Sequence, residues 1–203
     1  QQCNVATAVN PIAVNQEIQV PFNLSFHFDD RLRDVPDEPE SIRLALSWLR
    51  SQLTQTNDTH QQVQILGLIG AHARQLMELY AAQAALQRAI DLSIKIGDLR
   101  LKTANTIRLA HVYQWQGNFE KSERYYNAAI DSCQSKAEIA SYLDFAYQHA
   151  GKCKFDQKQY AAAQTYFQKA LLIRLRKDER YLINSTRQAI ERTRHCLFEA
   201  VTE

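Results

Sequence analysis

The sequence predicts an all-α protein of about eight helices, stacked in pairs, with an extended arm ahead of them. Three observations carry this reading. All four prolines, Pro11, Pro21, Pro36 and Pro39, precede residue 40, so the rest of the 203-residue chain lacks the strongest helix breaker. That stretch is rich in Ala, Leu, Gln, Arg, Lys and Glu, all good helix formers, and the whole chain has only 5 glycines. A helix–turn–helix pattern also recurs within it every 40–41 residues. Together these argue against β-sandwiches, barrels and Gly-rich phosphate-binding folds.

The arm comes first. Residues 1–28 contain no Lys or Arg and no continuous apolar run, so they do not read as a secretion signal. The chain opens on Gln1 rather than Met, which suggests trimming. Phe22, Leu24, Phe26 and Phe28 alternate with Asn23, Ser25 and His27, a period of two that predicts an extended, strand-like segment. Residues 29–40, DDRLRDVPDEPE, carry six acidic and two basic residues and read as an acidic linker. The expected division is therefore an arm and linker over 1–40 and a helical domain over 41–203.

Three copies of the repeat stand out: LGLIGAHARQLMELYAAQAALQRAI from Leu66, RLAHVYQWQGNFEKSERYYNAAI from Arg108 and YQHAGKCKFDQKQYAAAQTYFQKAL from Tyr147. Large and small apolar residues fall at matching offsets, as needed for the ridges of one helix to enter the grooves of the next. This pattern resembles the tetratricopeptide repeat. In that family's frame the repeats cover about 63–102, 103–143 and 144–178. Position 8 holds Gly70, Ala110 and Gly151; position 17 holds Leu79, Phe119 and Tyr160; position 20 holds Ala82, Ser122 and Ala163; position 24 holds Leu86, Tyr126 and Phe167; and position 27 holds Ala89, Ala129 and Ala170. The family's usual proline at position 32 is replaced by Ile94, Gln134 and Leu175, which fits a second helix about one turn longer. Lys154 stands where an aromatic is usual. Extending the frame gives flanking helices over 40–54 and 179–200. The resemblance implies a right-handed α-solenoid.

No motif for catalysis stands out: there is no P-loop, G-x-S-x-G, H-E-x-x-H or G-x-G-x-x-G. His149 and Cys153 are four apart on one helix, but two ligands do not make a metal site. Cys3, Cys133, Cys153 and Cys196 form no CxxC pair, and free thiols in a reducing, cytoplasmic setting are expected. A net charge of +2 gives no electrostatic case for nucleic acid, and no apolar run is long enough for a membrane span. No enzyme activity, metal or cofactor is expected.

What remains is a surface. The resemblance implies a concave groove lined by the first helices of the pairs. By position it takes Arg74; then Ile107, Arg108, His111, Gln114 and Trp115; then Phe145, Gln148, His149, Lys152, Phe155 and Asp156. Aromatic anchors, amides and cations suit an extended protein segment or peptide, with an acidic one favoured by charge. The family's carboxylate clamp for chaperone tails is missing, since its positions hold Gly67, Ala71, Arg108, Phe145 and His149. The expected function is a peptide-binding scaffold or adaptor. A regulatory domain responding to a small signalling peptide or metabolite is the alternative. The arm is expected to dock through Phe22, Leu24, Phe26 and Phe28. A cap over the exposed apolar edge of the first helix is preferred to a groove, whether formed by the first helices of its own solenoid or by a second copy, which would make a homodimer.

Overall fold

The computed structural model describes residues 18–202. A two-stranded hairpin, β1 (Phe26–Phe28) and β2 (Asp34–Pro36), precedes eight helices: α1 (Pro39–Gln55), α2 (Thr59–Gln75), α3 (Leu79–Lys95), α4 (Leu99–Trp115), α5 (Phe119–Ser135), α6 (Leu143–Asp156), α7 (Tyr160–Lys177) and α8 (Arg180–Thr202). A 3-10 turn, Ala137–Tyr142, leads into α6. Consecutive helices from α2 to α8 stack against one another, the arrangement of a repeat array.

The helix ends follow from local chemistry. Pro39 opens α1, where a missing N–H is harmless. Asp58, Asp98 and Asn118 cap α2, α4 and α5 by accepting from the backbone N–H of His60, Leu101 and Lys121. The turns inside the three pairs reverse through left-handed residues at the same offset: Met77, Gly117 and Lys158, with φ of 62°, 76° and 59°. Only Gly117 adopts that conformation without steric penalty. Gly97 and Asp98 end α3 and start α4, as their order in the sequence suggests.

The small-against-large pattern builds the core. Leu86, Tyr126 and Phe167, the same offset in α3, α5 and α7, are essentially fully buried. Gly70 lets Leu86 approach and Gly151 lets Phe167 approach, since a Cβ on either glycine would sit within 3 Å of the facing side chain. At the equivalent crossing of α4 and α5, Ser122 Oγ donates to the Ala110 carbonyl at 2.8 Å. Leu46 and Leu49 are buried on α1, and Ile183 and Ile190 on α8, while Arg187 and Arg194 of α8 are exposed. Lys154 keeps its place by pairing with Glu123 at 2.7 Å.

The arm differs most from expectation. Phe22, Leu24, Phe26 and Phe28 are half-buried while Asn23 and His27 are exposed, in keeping with a period of two. Residues 29–40, expected as an acidic linker, instead hold the turn and return strand of the hairpin, with Phe26 opposite Pro36 and Phe28 opposite Asp34. Asp34 alone among the six acids of this stretch is buried, which is feasible because it finds a cation. The arm packs on its own helices in two places. Ile18, Val20 and Leu24 lie on the apolar cluster of Ile42, Leu46, Ile65 and Leu86, as a cap would. The hairpin reaches further, onto the first helices of the pairs. Cys133, Cys153 and Cys196 are free and buried, and Cys3 lies outside the described residues.

Gly151→Ala should destabilise the protein by about 1–3 kcal/mol, because the Phe167 ring would sit 2.6 Å from the new Cβ and has little room to move. Arg88→Ala, at an exposed position on α3, should change stability by less than about 0.5 kcal/mol. Chemical denaturation of both variants checks this; equal losses would contradict the packing described.

Candidate functional site

The residues of interest come from α2, α4 and α6, the first helix of each pair. Arg74, near the end of α2, is buried with its guanidinium over the Trp115 indole, 4.3 Å from the ring centre. Its two Nη groups donate to the two carboxylate oxygens of Asp34 at 2.9 and 2.6 Å. This two-point pair is the strong geometry for an arginine and a carboxylate. Gln75 Nε2 donates to the same carboxylate at 3.2 Å. Burial alone would raise the pKa of Asp34, but the charge and hydrogen bonds of Arg74 overcome it and hold the carboxyl well below its usual range.

The rest of the hairpin makes matching contacts. Phe28 lies over the Lys152 ammonium, 4.0 Å from the ring centre. Arg33 covers the Trp115 ring at 5.0 Å. Arg31 and Arg33 pair with Asp156 at 2.8 and 3.3 Å, and Gln114 Nε2 donates to the same carboxylate at 2.8 Å. Leu32 is buried among Phe155, Ala163, Phe167, Ala189 and Ile190. It occupies the tip of a turn held by Asp29, whose Oδ1 accepts from the backbone N–H of Arg31 and Arg33. Leu32 takes φ of 59° there, a left-handed conformation that costs a bulky residue of order 1 kcal/mol or more.

Beneath the hairpin lies a set of buried polar groups. His111 and His149 face each other, ring centres 4.6 Å apart, and His111 meets the edge of Trp115. Burial first, and then the cations around them, push both imidazoles well below their ordinary range, so they are neutral at pH 7. Arg33 Nε, His111 Nε2, Trp115 Nε1, Gln148 Nε2 and His149 Nδ1 are buried without a hydrogen-bond partner among the described residues. Such groups commonly cost about 1–3 kcal/mol each. Lys152 is buried, and burial pulls its ammonium down to about 8, with Asp34 opposing the shift and Arg74 adding to it.

The structure thus gathers Arg74, His111, Gln114, Trp115, Gln148, His149, Lys152, Phe155 and Asp156 around one hairpin. Ile107 and Phe145 lie in the packed core with Tyr126 and Tyr142. Arg108 stands apart, half-buried, donating to Asn105 Oδ1 at 3.0 Å. Gly67 of α2 makes room for these two side chains, since a Cβ there would fall 2.5 Å from Asn105 Oδ1 and 2.6 Å from Arg108 Nη1. Sequence reasoning missed Asp34, Leu32 and Gln75. Asp34 is one of six acids in its stretch, and nothing local marks it as the buried one.

Sequence reasoning also missed a second buried network, at the far end of the array. Arg174 Nε donates to Asp144 at 2.9 Å and its Nη1 to Thr186 Oγ1 at 2.7 Å, while Lys177 pairs with the other Asp144 oxygen at 2.6 Å. Thr186 in turn donates to Gln148 Oε1 at 3.0 Å, which ties α8 to the face under the hairpin. Among the described residues, no three His, Cys, Asp or Glu side chains come together as a metal site. No described helix is long and apolar enough to cross a membrane.

Two outcomes follow. Asp34→Ala should destabilise the protein by about 3–5 kcal/mol, because it leaves Arg74 buried and uncompensated. The stabilisation from the intact pair is complete above the ordinary Asp value of 3.8 and is lost as pH falls below it, which an acid titration of both proteins would read. Lys152 acts in the opposite range. Its folded-state value lies below its ordinary 10.5, so the unfolded chain binds more protons between about 8 and 10.5 and stability rises with pH there. Lys152→Met should remove that rise, measured as unfolding free energy at pH 8 and pH 10.

Comparison with known proteins agrees with this architecture. The family described as Tetratricopeptide repeat matches residues 102–176, from α4 to the last turn of α7. No curated protein matches the chain. Among solved structures, the crystal structure of BtubC (BKLC) from P. vanneervenii is similar, with a TM-score of 0.55 and 17% identity, over 79% of this chain and 72% of that one. At that identity the likeness is one of fold. The middle of the chain carries a tetratricopeptide-type repeat within an all-α helical array, an architecture that fits interaction with other proteins.

Proposed function

We propose that the chain is a protein-interaction module, a scaffold or adaptor, whose concave α2–α4–α6 face binds an extended segment of a partner. The observation that carries this reading is the Arg74–Asp34 pair. The face already holds an extended, acidic piece of protein, gripping it by a carboxylate on Arg74, an aromatic on Lys152 and an aliphatic side chain beside Phe155. These are the elements of peptide recognition: a few buried anchors with charge to set orientation. The role is non-catalytic.

One set of atoms favours the alternative, a regulatory domain for a small polar ligand. The unpartnered nitrogens of His111, Trp115, Gln148 and His149 would hydrogen-bond the polar groups of such a molecule. Binding measurements separate the two. The full chain should retain 15-residue acidic peptides from an array and ignore basic ones. Arg108→Gln should weaken the retained peptides about tenfold, roughly 1.4 kcal/mol, with an unchanged circular-dichroism spectrum. An array with no retained peptide, together with a thermal shift from a metabolite panel, would favour the alternative.

A further inference from the structure

The hairpin is an imperfect occupant of the face it fills. Its strands are three residues each, too short to persist without the helices beneath them. Leu32 sits in the left-handed region. Five nitrogens, from Arg33, His111, Trp115, Gln148 and His149, are sealed in without a hydrogen-bond partner among the described residues. The charge match is also incomplete. The helices present Arg74, Arg108 and Lys152 against Asp156, but of these three cations only Arg74 receives a carboxylate from the hairpin. Lys152 has the face of Phe28, and Arg108 donates to the Asn105 amide; neither pairs with a carboxylate among the described residues. An unstrained segment with one more acid would satisfy this face better than the chain's own hairpin does.

We infer that residues 26–36 are a displaceable internal ligand, and that the partner is an extended acidic segment whose carboxylates take the place of Asp34 on Arg74 and engage the Arg108 guanidinium. This rests on the interaction role proposed above and adds the partner's chemistry and the regulation of the site. The hairpin is then autoinhibitory: the array binds only partners that outcompete it. Because the hairpin is covalently attached, its effective concentration at the face is high, and a weak or neutral segment is excluded.

The competition can be read on the wild-type chain. The probe is a synthetic peptide of residues 22–37, added in excess, with amide hydrogen exchange followed by mass spectrometry. Exchange of the protein's own residues 26–36 should rise at least tenfold with the peptide present, while α3 and α5 are unchanged. The same peptide with Asn in place of Asp34 should bind at least tenfold more weakly by fluorescence anisotropy. An Asp34→Asn protein that keeps its helical spectrum should bind the parent peptide at least tenfold more tightly than the wild type does. Peptide bound without increased exchange over 26–36 would overturn the internal-ligand inference while leaving the interaction role intact. Equal binding of the Asp and Asn peptides would overturn the acidic partner. No binding of the peptide to either protein would overturn both parts of the inference, while the peptide array tests the interaction role separately.

Discussion

The contact on which the arrangement of the arm depends is the pairing of one buried arginine with one buried carboxylate. Arg74 belongs to α2 and Asp34 to the hairpin, and neither group could be buried alone. A lone guanidinium under this face would have to stay solvated, and a lone carboxylate would be protonated or expelled. Together, with Gln75 as a third partner and Trp115 as a floor, they form a unit that removes both charges from water with their bonding capacity largely used. The contacts of Phe28 with Lys152 and of Leu32 with Phe155 follow once the hairpin is held at that point.

The helical array obeys a different rule, that of volume. At each crossing a residue without bulk meets a bulky one, Gly70 with Leu86 and Gly151 with Phe167, so the helices come close enough to exclude water. That rule is local and periodic, and it is why the array could be read from the sequence. The offsets of Leu79, Phe119 and Tyr160 marked the starts of α3, α5 and α7, and Gly97 followed by Asp98 marked the break between α3 and α4. Even the departures made sense locally: Lys154, out of place for packing, finds Glu123 across the turn of the array.

The candidate site was legible only in part, because its partners are far apart in the chain. Arg74, Trp115, His111 and Lys152 were marked by their place on the first helices, and the structure brings them together. Asp34 was hidden among five other acids, since burial of one carboxylate depends on a cation 40 positions away and leaves no periodic trace. The same holds for Asp144 and Arg174, which sink into the interior together while Lys177 reaches Asp144 from the surface. Charge that pairs over long separations reads in sequence as surface. Period-two alternation did identify the extended arm, but the return strand, with Pro36 at its end, carried no such signal.

The hairpin's seat also bears on how the chain is made. Leu32 packs against Ile190, and Asp30 lies 3.6 Å from Arg192, so the seat of the hairpin is completed only by α8. At ~5–20 residues per second, a ribosome needs on the order of ten seconds or more to travel between them. During that interval α1 to α7 can stack in the order they emerge, each on its predecessor, while the hairpin has no finished surface to settle on. Phe26, Phe28 and Leu32 therefore wait in water beside an unpaired strand edge, the kind of segment that invites aggregation. The six acids between Asp29 and Glu40 lie alongside them. Their mutual repulsion keeps the nascent segment apart from its copies on neighbouring ribosomes, and Asp34 gives up that service only when Arg74 receives it.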